Sequence, residues 1–220
     1  MKKAIVILLL TVAAFPAYAQ KDFTPELSVG IKGGVSYSRF NFEPAKDQEF
    51  LQGYTGGIIV KHVAHRRVGV QMEVNYVQKG WTERLRPGVS YTRSLDYVEV
   101  PLLTHVTIGN RNTRLIVNLG PYASYLISGG EAGSKPEVVE GEEEPDTGYQ
   151  FRSVDNTFQY GLGVGLGMVQ KTSFGSFQLE ARLQHSLHDI FSRASDALSS
   201  KNQNASLTLG YLIDFDLKKK

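Results

Sequence analysis

The chain contains no cysteine in its 220 residues. That excludes disulfides, and it equally excludes a lipid-modified cysteine as an anchor for a mature amino terminus. Net charge is also nearly absent. The 24 Lys and Arg residues stand against 22 Asp and Glu, and without Lys2 and Lys3 the remainder is formally neutral. Such a balance argues against a nucleic-acid binder, which carries a clustered basic face. Beyond the amino terminus no apolar run is long enough to cross a bilayer as a helix, so membrane insertion has to be by strands.

What is present begins with a targeting pattern. Lys2 and Lys3 form a basic start, residues 4–14 are apolar apart from Thr11, and Ala17-Tyr18-Ala19 matches a small-x-small cleavage site. The apolar run is shorter than the ~20 residues of a spanning helix. The sequence thus predicts a cleaved signal peptide over residues 1–19, followed by one domain over 20–220 beginning at Gln20. An exported domain without disulfides needs another source of stability, and a closed hydrogen-bonded barrel supplies one.

From Leu27 onward the pattern has a period of two. Leu27, Val29, Ile31, Val35 and Tyr37 alternate with Ser28, Gly30, Lys32, Gly34, Ser36 and Ser38. Near the other end Leu207, Leu209, Tyr211, Ile213, Phe215 and Leu217 alternate with Ser206, Thr208, Gly210, Asp214 and Asp216, and only Leu212 breaks the polar face. Successive strand side chains point to opposite faces, so each segment has one apolar and one polar face. Turn residues delimit six more strands, near residues 54–63, 68–81, 91–108, 114–127, 156–170 and 174–187. The fold class read from this is all-β: an antiparallel, up-and-down transmembrane β-barrel of about eight strands.

The connections support that reading. Linkers over 62–67, 109–113 and 171–173 are short, and those over 39–53, 82–90, 128–155 and 188–202 are long. They alternate along the chain, which predicts both termini and the short turns on the periplasmic side and the long loops outside. Rings at Tyr37, Tyr54, Tyr76, Tyr125, Phe158, Tyr160, Phe177 and Phe215 fall near strand ends on the apolar face, as interfacial girdles require.

The polar face carries Lys32, Lys61, Gln71, Glu73, Asn75, Glu99, Gln178, Glu180, Arg182, Gln184 and Asp214. An eight-stranded barrel is just wide enough for side chains to fill it. Lys32, Lys61, Glu73, Glu99, Glu180, Arg182 and Asp214 are therefore expected to form a lumen charge network, a plug with both signs interleaved. Gly161, Gly163, Gly165 and Gly167 share one wall and leave room for Arg182, Lys32, Glu73 and Glu180 from the opposite wall. The alternative reading of Glu73, Glu99, Glu180 and Arg182 is a narrow ion path.

The segment Gly69-Val70-Gln71-Met72-Glu73-Val74-Asn75-Tyr76-Val77-Gln78-Lys79-Gly80 resembles a recurring stretch of the PorT-like outer-membrane β-barrel proteins of Bacteroidota. Asp96-Tyr97-Val98-Glu99-Val100-Pro101-Leu102-Leu103, then Gly120-Pro121-Tyr122, Gly161-Leu162-Gly163 and Glu180-Ala181-Arg182 continue the likeness in order. The resemblance implies a barrel in an outer membrane, and a link to protein secretion rests on it alone. One departure stands out: Phe215 is followed by Asp216, Leu217 and three lysines rather than ending the chain.

Other residues invite chemical readings. Glu140, Glu142, Glu143, Glu144 and Asp146 offer oxygen ligands in a row, but without the spacing and turn glycine of a calcium loop. They are read as a solvated outer loop and as the candidate surface for a protein partner. His185, His188 and Asp189 lie close to Ser186 and Ser192, yet nothing in the sequence marks either serine as activated. The glycine run has no following helix to receive a phosphate. The sequence therefore predicts a monomeric barrel embedded in outer-membrane lipid, with a structural or interaction role and no cofactor, metal, nucleic acid or catalytic site. A small-solute channel is the alternative, and a barrel hydrolase the third reading.

Overall fold

A computed structural model describes residues 25–43, 48–65, 67–86, 89–109, 112–132, 154–191 and 199–216. The segment expected to be cleaved, the acidic stretch from Glu140 to Asp146, Ser192 and the terminal lysines lie outside the described residues. Eight strands run in chain order: β1 (Glu26–Glu43), β2 (Gln48–Val63), β3 (Val68–Arg86), β4 (Val89–Ile108), β5 (Thr113–Ala132), β6 (Phe158–Thr172), β7 (Gly175–Ser186) and β8 (Ser199–Asp216). Each pairs antiparallel with the next, and β8 returns to β1 to close the ring. Closure leaves no strand edge unpaired.

The faces sort as the alternation requires. Ile31 is 67% exposed and Leu166 62%, while Glu73 is 1% exposed and Gln71 fully buried. Apolar side chains point out and polar ones point in, the reverse of a water-soluble protein and the arrangement that lipid demands. All the girdle rings, from Tyr37 on β1 to Phe215 on β8, project outward. Phe174, Phe177 and Tyr211 pack against one another on the terminus side.

Two prolines lie inside this ring, where every strand is central. Pro101 and Pro121 have no N–H to donate. Pairing between β3 and β4 skips from Met72–Leu102 to Asn75–Glu99, and between β4 and β5 from Pro101–Tyr122 to Thr104–Leu119. The register is the same on both sides of each gap, so bonds are lost locally without a strand slipping.

Two of the expected long loops are corrected by the structure. Residues 39–53 are mostly strand, because β1 continues to Glu43 and β2 begins at Gln48, and residues 82–90 are mostly the ends of β3 and β4. The linker expected over 188–202 also shortens, since β8 starts at Ser199. The cause is a reversal of polarity along the strands. Below it Val70, Met72, Val74 and Tyr76 of β3 face out; above it Trp81 faces in and is fully buried. On β1 the outward series ends at Tyr37, and the next bulky residues, Phe40 and Phe42, face in. On β4 Tyr91, Leu95 and Tyr97 face in, while Val98, Val100 and Leu102 face out. The backbone phase continues, but apolar residues change sides where the strands leave hydrocarbon for water.

The inward rings of this upper zone form one cluster: Phe40, Phe42, Trp81, Tyr91, Leu95 and Tyr97, joined by Ile190 and Phe191 after β7. Trp81 meets Phe40 and Phe42 edge-on, with centroids 4.9 and 5.2 Å away. Phe42 stacks on Phe191 at 6.1 Å. Backbone bonds from Asn156 N to Ile190 O (3.0 Å) and from Ile190 N to Ser200 O (3.3 Å) hold the segment after β7 across the short strands.

Trp81 is the sole tryptophan of the chain, which makes the reversal measurable. Its emission should be blue-shifted, and neither brominated acyl chains nor aqueous acrylamide should quench it efficiently. Strong quenching by brominated lipid would place Trp81 on the outer wall and refute the inward assignment.

Candidate functional site

The inward residues of β3 build the site from one side. Glu73, between Gln71 and Asn75 on the same face, is the hub. Arg182 of β7 donates to both its oxygens, Nη1 to Oε2 at 2.8 Å and Nη2 to Oε1 at 2.6 Å. Lys32 of β1 donates to Oε2 at 2.5 Å, Asn75 to the same oxygen at 2.8 Å, and Gln71 to Oε1 at 2.5 Å. Both carboxylate oxygens are thus satisfied, and the fork of the guanidinium fits them two to two.

Arg182 also donates from Nε to Glu180 Oε1 at 2.8 Å. Gln178 donates to Glu180 Oε2 at 3.1 Å and to Gln71 Oε1 at 3.2 Å, which ties the two walls together. Lys32 and Arg182 balance Glu73 and Glu180, so the group is neutral as a whole. In the ring of eight, β3 and β7 stand opposite each other. The Arg182–Glu73 pair therefore spans the lumen.

The glycines of β6 explain how this fits. A Cβ at Gly165 would overlap the carboxylate of Glu180, and one at Gly163 would press on Gln184 Cγ at 3.3 Å, with Arg182 Cδ at 3.9 Å. The room they leave is filled by Glu180 and Arg182 from the neighbouring strand β7. Lys32 and Glu73 reach in from β1 and β3.

Other residues of the expected set lie elsewhere. Glu99 belongs to a separate cluster, accepting from Lys79 Nζ at 2.7 Å and from Gln184 at 2.6 Å, and Asn204 donates to Gln184 at 3.1 Å. The Lys79 ammonium also lies 5.3 Å from the ring centre of Tyr97 and 5.1 Å from that of Tyr122, a cation–π arrangement. Asp214 accepts from Ser28 at 2.6 Å and from Ser176. Lys61 is buried and pairs in register with Ser28, one strand away from Asp214, and among the described residues it makes no ion pair within 4 Å. The seven residues thus occupy three places rather than one network. Lys79 was missed although its phase on β3 is that of Glu73.

Ser186 and His185 at the end of β7, and His188 just after it, do not assemble a relay. Ser186 Oγ donates to the carbonyl of His188 at 2.8 Å and accepts from the His188 N–H at 3.3 Å. Asp189 Oδ1 accepts from Ser200 N at 2.7 Å. His188 stacks on Tyr160 at 5.5 Å, and His185 is exposed on the outer wall. These groups bind backbone and rings and tie down the segment that crosses the short strands.

The Glu73 hub yields a double-mutant test. Arg182→Met should destabilise the barrel by about 3–5 kcal/mol, because it strips the bidentate partner from a buried carboxylate. Adding Glu73→Gln should recover a large part of that loss, since the charge itself is then gone. Reversible urea unfolding in lipid vesicles measures both; equal and additive losses would show that the pair is not coupled.

No curated relative matches the chain. Among solved structures, the outer membrane protein OprG from Pseudomonas aeruginosa is similar at 12% identity, covering 90% of this chain and 98% of its own, with a TM-score of 0.52. The outer membrane protein AlkL, solved by solid-state NMR in DMPC bilayers, is similar at 11% identity over 94% of this chain and 97% of its own, with a TM-score of 0.51. At such identity the likeness is one of fold. Residues 18–192 match the outer membrane protein beta-barrel domain, so this chain belongs to that family of outer-membrane barrels.

Proposed function

We propose that this protein is a closed outer-membrane barrel with a structural or interaction role, exerted through its outer surface and loops rather than by conducting a solute. The observation that carries this reading is the filling of the lumen at successive heights along β3. Glu73, Arg182, Lys32 and Glu180 bridge it from wall to wall, Lys79 and Glu99 form a second tier, and the rings around Trp81 form a third. An ion crossing the barrel would have to break the neutral cluster, leaving buried charges uncompensated, and then pass an apolar layer.

In this reading the signal peptide is cleaved, the barrel is a monomer, and both termini face the periplasm. The side away from the termini then faces outward, and a protein partner would meet the barrel there. The narrower PorT-like assignment belongs to the same proposal and rests on the quoted motifs; a secretion role is not part of it.

Planar-bilayer recording tests the reading. The purified barrel should give no stepwise conductance at moderate voltage. Regular single-channel steps from the folded wild-type protein would overturn the plug and support the small-solute channel.

A further inference from the structure

A concavity of about 490 Å³ lies on the outer wall across β6, β7, β8 and β1. Its size falls within the about 300–1,000 Å³ of small-molecule sites. Strand register explains its shape. One rung aligns outward-facing Val164, Leu183, Ala205 and Tyr37 on four successive strands. Ala205 is a small residue in a row of large ones, so the wall is hollowed between Leu183 and Tyr37.

The next rung away from the termini is polar in three of its four residues. It aligns Leu162, His185, Gln203 and Arg39. The Arg39 guanidinium is held in place from two sides: Nε donates to Gln203 Oε1 at 3.0 Å, and the group lies 5.0 Å from the ring centre of Phe50. Among the described residues no carboxylate forms an ion pair with it. On β1 it follows the apolar outward series that ends with Tyr37, so it stands where acyl chains give way to headgroups. An oriented arginine with no carboxylate partner among the described residues, directly above an apolar hollow in a lipid-facing wall, is complementary to an amphiphile with an anionic headgroup.

We infer that this hollow is a docking site for one anionic membrane phospholipid, with an acyl chain over Ala205 and Leu183 and its phosphate on Arg39. Gln203 fixes the guanidinium by accepting from Nε, which leaves the two terminal nitrogens to donate to phosphate oxygens in the forked geometry that arginine favours. The inference rests on membrane placement and not on the plug, so it stands or falls independently of conductance.

Native mass spectrometry of the full barrel, released from mixed phosphatidylglycerol and phosphatidylcholine nanodiscs, tests it. The wild type should retain one phosphatidylglycerol in preference to phosphatidylcholine by about tenfold, because the choline cation offsets the phosphate charge that Arg39 meets. Arg39→Gln should abolish the preference, and Ala205→Phe, which fills the hollow, should lower retention of both lipids. Heat-modifiable gel mobility checks that each variant is folded; were Arg39→Gln not to fold, the wild-type preference and Ala205→Phe decide. Equal retention of the two lipids by the wild type, a preference that survives Arg39→Gln, or undiminished retention by Ala205→Phe would overturn the site.

Discussion

A backbone inside hydrocarbon has no water to bond, so every N–H and C=O of a membrane-crossing strand must find a partner in another strand. In this chain that constraint is met by the ladder of β8 on β1, running from Glu26 opposite Asp216 to Glu43 opposite Ser199. Once the ring is closed, the other features follow. Outward side chains are committed to lipid, inward ones share a narrow lumen, and polar groups turned inward must satisfy one another. The two prolines show the margin: each removes bonds, yet the register holds on both sides of the gap.

The lumen shows how charge is tolerated in so narrow a space. Glu73 accepts from four side chains, and the arginine that binds both its oxygens comes from the opposite strand. A buried ion pair is weak evidence for stability, because desolvation offsets most of the attraction. Its consequence here is geometric. It bridges β3 and β7 across the ring at that height.

Along the same strands the solvent changes, and the sequence changes with it. In the lipid zone β1 and β3 turn Ile31 and Met72 outward; beyond the tyrosines they turn Phe42 and Trp81 inward. The upper part of the barrel is therefore an ordinary aromatic core surrounded by water, standing on an inside-out barrel. Arg39 and Gln203 mark the level of the switch on the outer wall, and for that reason a headgroup-binding residue and an acyl-binding hollow come to be adjacent.

Much of the architecture was legible in the sequence. A strict period of two fixes which residue faces which side of a strand, whatever its partners, so the fold class, the strand number and the girdle rings could be read directly. The phase of Glu73, Glu180 and Arg182 likewise put them in the lumen. The strand ends were not legible, because the alternation reverses its polarity at Tyr37 and Tyr76, and a reversed pattern resembles a loop when solvent is unknown. The grouping of charges was not legible either. Phase assigns a face, but which charges meet depends on which strands stand opposite and on the stagger between them. Tertiary structure alone separated Glu99 from Glu73, gave Lys79 its partner, left Lys61 without an ion pair among the described residues, and brought Arg39, Gln203 and Ala205 to one place on the wall.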